Sequence, residues 1–155
     1  MQHNEDLVSV LNDLIRINND RINGYQKAIE ETKDIDQELR EMFRRMADES
    51  RRIKSELTLE VKRIGGVPVE DGTTASGKIY RAWMGLKATF SGKDRHSLLA
   101  SCEYGEDNAQ KAYQQALEDE ATVGADIRQL IQKQKNTLKA SHDLIRRYRD
   151  MQATI

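Results

Sequence analysis

Apolar residues recur along this chain at helical spacing. Over about residues 4–32 the stripe is Leu7, Leu11, Leu14, Ile22, Tyr25 and Ile29. Steps of three, four or eight put these side chains on one face of a long helix. A second long helix runs to about Ile64, with Leu39, Met42, Phe43, Met46, Ile53, Leu57 and Ile64 inward. Asp34 with Gln37 resembles a capping box at its start. Gly65 and Gly66 stop it, and Pro68 blocks any restart. The turn-rich stretch GGVPVEDGTTASG follows, then KIYRAWMGLKATF, in which Ile79, Trp83, Leu86 and Phe90 predict a short amphipathic helix. Ser91-Gly92 ends that helix and Asp94 can cap the third long one. The third reaches about Glu118 through Leu98, Leu99, Cys102, Ala109, Tyr113, Ala116 and Leu117. After the turn DEATVGAD, the fourth carries Ile127, Leu130, Ile131, Leu138, Ile145 and Tyr148.

The first two long helices are joined tightly, as are the last two, and short connections make antiparallel neighbours. The connection over about residues 65–93 can travel the length of a bundle. The expectation is one all-α domain over residues 1–155, an antiparallel four-helix bundle with one long crossover. Burying four half-apolar stripes together offsets chain entropy that no single helix overcomes.

Composition narrows the function classes. Charged residues make up 33% and aromatic residues 5%, as suits a helical soluble chain. Lys plus Arg number 25 against 26 Asp plus Glu, a balance that argues against a general nucleic-acid binder. The single cysteine excludes an intramolecular disulfide framework and fits a reducing compartment. No apolar run reaches the roughly 18 residues of a membrane span, and MQHNEDLVSV lacks signal-peptide order. The expected location is therefore the cytoplasm. There is no Gly-rich phosphate loop, Cys/His zinc spacing or Ser/His/Asp pattern.

Each long helix carries polar residues where its stripe should be apolar. They are Asn18 in the first, Glu49 in the second, Glu103 and Glu106 in the third, and His142 in the fourth. Measured from the two helix-connecting turns, Asn18 matches Glu49 in height and Glu106 matches Lys139. An ionised carboxylate in an apolar core is costly unless paired or metal-bound. Two readings stand for each acid: a buried functional layer, or a solvated position at the edge of the stripe. Asn18 also suits an interhelical hydrogen bond that sets register.

NNDRINGY, ESRR, EYGED and KASH, which contain these residues, resemble the ferritin-like di-metal carboxylate proteins. GYQKAIEE, RAWMGL, GEDNAQKAYQQAL and HDLIR resemble a bacterial family of small stand-alone ferritin-like bundles of unknown function. The resemblance spans nearly the full length and implies a ferritin-like fold, a bacterial stress association and a homodimer. Departures from the di-metal pattern are extensive. Asn18 stands where a Glu is expected, Arg52 where Glu49-x-x-His is expected, and Lys139 where the last motif begins with Glu. Three carboxylates with Arg52 and Lys139 leave a charge of −1, which a protonated His142 would cancel. The reading is a degenerate site without catalysis or cofactor, held by a buried network of Asn18, Glu49, Arg52, Glu103, Glu106, Lys139 and His142. The alternative is a metal-binding protein with oxidase or metal-handling activity, ligating Fe, Mn or Zn through Glu49, Glu103, Glu106 and His142.

The remaining candidates are plainer. Tyr25 and Tyr113 read as buried tyrosines with satisfied hydroxyls, and Cys102 as a small core residue. His3 and His96 read as exposed. RRMADESRRIKSELTLEVKR interleaves its charges and reads as a solvated face. Ile79, Trp83, Leu86 and Phe90 must cover the bundle, or share their face with a second copy or another protein.

Overall fold

The computed structural model describes residues 2–32, 36–70, 77–86 and 95–153. It forms helices α1 (Gln2–Glu31), α2 (Gln37–Arg63), α3 (Lys78–Leu86), α4 (Arg95–Glu118) and α5 (Ala125–Ala153), with a 3-10 turn at Glu120–Thr122. Helix α1 lies along α2 and α4 along α5, as two antiparallel hairpins. The short helix α3 lies across α1 and α4 and so covers the seam between the hairpins on that side. The four-helix bundle and its helix-containing crossover agree with the apolar pattern.

Local chemistry sets the ends. The Asp36 side chain accepts from the Leu39 amide at 3.2 Å and caps α2. Asp34 lies outside the described residues, as do Phe90, Ser91, Gly92, Asp94 and the side chains of His3 and Leu86. At the other end of α2, Gly65 adopts φ 87°, the left-handed conformation glycine tolerates best. There the Gly66 amide bonds Val61 O at 2.9 Å and the Gly65 amide bonds Lys62 O at 3.0 Å, a Schellman closure.

A repeated Asn-Asp pair on α1 grips the crossover. Asn12 and Asp13 recur seven residues on as Asn19 and Asp20, so all four fall along one side of the helix. Asn12 holds the extended segment at both edges, donating to Val67 O (3.1 Å) and accepting from Val69 N (3.0 Å). Asn19 donates to Glu70 O at 3.0 Å. Asp13 accepts from the Gly77 amide (3.2 Å) and the Tyr80 amide (3.0 Å) at the start of α3. A Cβ at Gly77 would sit 2.5 Å from Asp13 Oδ2, so a larger residue there would have to displace the Asp13 carboxylate. Asp20 Oδ2 accepts from the Tyr80 hydroxyl (3.0 Å) and Trp83 Nε1 (2.8 Å). Ile79, Tyr80 and Trp83 are thereby buried by their own chain.

Among the described residues, the apolar interior is two clusters rather than one. The larger holds Leu11, Leu14, Ile53, Leu57, Trp83, Tyr113 and Leu138. The smaller holds Ala28, Met42, Phe43, Met46, Leu99, Cys102 and Ile145. Between them lies a layer of polar side chains.

Candidate functional site: a buried polar layer

The centre of the layer is Arg21, a residue absent from the predicted stripe. Leu14, Asn18, Arg21, Tyr25 and Ala28 alternate steps of four and three, and all five are buried. Ile22, expected inward, is only half-buried. Apolarity favoured Ile22, but the helix phase favours its neighbour. The signal was available, since Arg21 lies three residues after Asn18 and four before Tyr25.

Arg21 crosses from α1 to α4 and α2. Its Nε and Nη2 both donate to Glu106 Oε1, at 2.8 and 2.6 Å. Nη1 donates to the Ser50 hydroxyl. Nη2 also stands 3.7 Å from Glu49 Oε1. The guanidinium lies over the Tyr25 ring at 5.3 Å, and the Tyr25 hydroxyl donates to Glu106 Oε1 at 2.7 Å. One carboxylate oxygen thus takes three charge-assisted or buried bonds. Its twin, Glu106 Oε2, is sealed from water without a hydrogen-bond partner. Glu106 is 1% exposed, so its charge depends on Arg21.

From Arg21 the donors line up in one direction. The Ser50 hydroxyl donates to Asn18 Oδ1 at 2.9 Å. Asn18 Nδ2 donates to the Tyr113 hydroxyl at 3.1 Å and to Leu14 O at 2.8 Å. The Tyr113 hydroxyl donates to Gln134 Oε1 at 2.9 Å, and Gln134 Nε2 to Glu56 Oε1 at 3.1 Å. The chain runs from a buried cation to a carboxylate and touches all four long helices. Such a chain fixes the register of every helix against the others.

The electrostatics follow from this geometry. Burial alone would lower the Arg21 pKa, but Glu106, Tyr25 and Glu49 outweigh it and raise it. Burial, then the neighbouring Glu106 charge, pushes Tyr25 and Cys102 well above their usual values. Both remain neutral, and the Cys102 thiol is correspondingly inert.

Glu49 is the solvent-facing edge of the layer. It lines a cleft of about 450 Å³ with Arg45, Arg52, Ser141 and Leu144, between α2 and α5. Glu49 Oε1 accepts from the Ser141 hydroxyl at 2.7 Å. Burial raises its pKa above the ordinary 4.5, an effect that Ser141 and Arg21 only partly offset. Its ionised form therefore costs stability in the folded state. That cost is absent below the unfolded value and grows as the pH rises through the folded value. Glu49→Gln keeps an acceptor for Ser141 and should gain stability relative to wild type at pH 7.5. The gain should fade towards pH 4, as followed by urea titration across pH. A gain that does not change with pH would contradict the assignment.

Two expected members of the network are elsewhere. Lys139 is exposed and pairs with Asp143 at 3.3 Å. Arg52 is exposed at the rim of the Glu49 cleft. Long cationic side chains on an outer helix face gain more from water than from a sealed layer, whereas Arg21 has no such exit. Glu103 and His142 are not in the layer either. On α4, position 103 is only about 40° from Asp107 around the helix but about 60° from Glu106. Glu103 therefore groups with Asp107 beside His142 on the α4–α5 face.

The donor set in the core does not suit a metal pair. Arg21 already bridges the Glu49 and Glu106 carboxylates, and Asn18 is turned into the hydrogen-bond chain. No imidazole reaches these groups among the described residues.

Residues 6–119 match the family described as Domain of unknown function (DUF2383), and the chain belongs to it. No curated protein matches the chain. Among the described residues, no helix is long and apolar enough to cross a membrane.

Proposed function

From membership of that family and the Arg21-centred layer, we propose a ferritin-like bacterial bundle without catalytic activity. In this reading the layer that holds metals in the di-metal carboxylate proteins it resembles is held together here by the chain's own guanidinium. The observation that carries it is the position of Arg21. Its Nη2 lies 2.6 Å from Glu106 Oε1 and 3.7 Å from Glu49 Oε1, so it spans two acids on separate helices. A cation placed between those acids would meet the guanidinium directly and be repelled. A planar, permanently charged fork suits this bridging role better than an ammonium. The stress association and the homodimer belong to the same reading and rest on resemblance alone.

The experiment is a melting series with Mn²⁺ in the His142→Ala background. The parent should not respond in the core layer. Adding Arg21→Ser should expose Glu49 and Glu106 to the ion, so Mn²⁺ should raise the melting temperature of that variant alone. Stoichiometric iron or manganese in untagged wild type that survives His142→Ala but is lost in Glu106→Gln would overturn the reading.

A further inference from the structure

Outside the core layer, Glu103 and Asp107 of α4 face His142 of α5. One ligand atom from each of the three lies within 4.8 Å of the others. The two acids are four residues apart, so α4 itself sets their spacing. The imidazole comes from the partner helix of the same rigid hairpin.

We propose that Glu103, Asp107 and His142 form a binding site for a divalent first-row transition ion. It is separate from the core layer and does not depend on the reading given to it.

The His142 ring is oriented for this task. Its Nδ1 meets Asp143 Oδ1 at 3.1 Å, and Lys139 in turn holds Asp143 at 3.3 Å. A carboxylate on one ring nitrogen fixes the orientation of the ring and turns the other towards an ion. That other nitrogen, Nε2, points at Asp107, 2.6 Å from Oδ1. Two carboxylates against one imidazole match ions that accept mixed nitrogen and oxygen donors, with water at the open positions.

Glu103 supplies an independent observation. Its Oε2 is sealed from water, yet makes no properly aligned hydrogen bond. Arg149 Nη1 approaches it to 2.6 Å, a charge contact without hydrogen-bond geometry. Arg149 is therefore the competitor for this carboxylate. It also contacts Asp150 at 3.0 Å and can turn there when an ion binds. Ion–ligand bonds near 2 Å require the three donors to close in slightly, which side-chain rotation on the α4–α5 face allows.

The test is calorimetric titration of the untagged, folded protein with Zn²⁺, supported by Co²⁺ absorption spectra. Wild type should bind one ion. Asp107→Asn and His142→Ala should each weaken binding by roughly tenfold or more. Arg149→Gln should strengthen it by removing the competing cation. Glu49→Gln should leave it unchanged, which separates this site from any ion in the core layer. Absence of binding in both wild type and Arg149→Gln would overturn the proposal. So would binding that Asp107→Asn and His142→Ala leave intact.

Discussion

Arg21→Ala should lower the stability of the folded chain by about 3–5 kcal/mol, the usual cost of stranding one partner of a buried ion pair. Glu106 would keep a single hydrogen bond, from Tyr25, with its Oε2 already unpartnered. Ser50 would lose its donor, and the bond chain through Asn18 would lose its cationic end. Urea unfolding followed by circular dichroism reads the loss. Adding Glu106→Gln should recover part of it, because the neutral amide removes the uncompensated charge, and the two effects should be strongly non-additive. Arg21→Lys should rescue poorly, since an ammonium cannot bridge Glu106 and Ser50 as a planar fork does. Additive losses in the double variant would mean that the pair does not act as a unit. A loss below about 1 kcal/mol in Arg21→Ala would mean that the layer is solvated.

Trp83→Ala is expected to cost about 3–5 kcal/mol, as for a large aromatic removed from a core. Trp83 is 5% exposed and packs into the larger apolar cluster. It also anchors α3, because its Nε1 and the Tyr80 hydroxyl share Asp20 Oδ2. Its loss should loosen the crossover and uncover the seam between α1 and α4. Light scattering of the variant at a temperature where it remains folded should show the wild-type oligomeric state, since this chain already covers the indole. A stable monomer replacing a dimer would instead place Trp83 in an interface between copies.

Much of this protein was legible in its residue order. Helix positions came from apolar spacing, and the close of α2 from Gly65-Gly66. Asn18 and Glu106 stood out as polar residues within apolar stripes, and for Glu106 the flanking residues on both sides fixed the phase. The position of the buried cation is harder to read from residue order. Arg52 and Lys139 matched the positions of absent metal ligands, whereas Arg21 sat beside Ile22, whose apolarity filled the stripe. Over a long helix, adjacent positions differ by about 100°, and an apolar residue beside an inward charge hides that charge. The paired Asn-Asp steps at residues 12–13 and 19–20 were also visible, but their partners in the crossover are far along the chain.

The sequence by itself determined the number, length and pairing of the helices and the presence of polar groups on their inner faces, because periodicity is a local property. Tertiary structure alone decided which charges meet. Rotation of α4 by its own packing sends Glu106 inward to Arg21 and turns Glu103 and Asp107 towards His142. Those pairings depend on how helices distant in the chain are rotated against each other, and no single stripe carries that information.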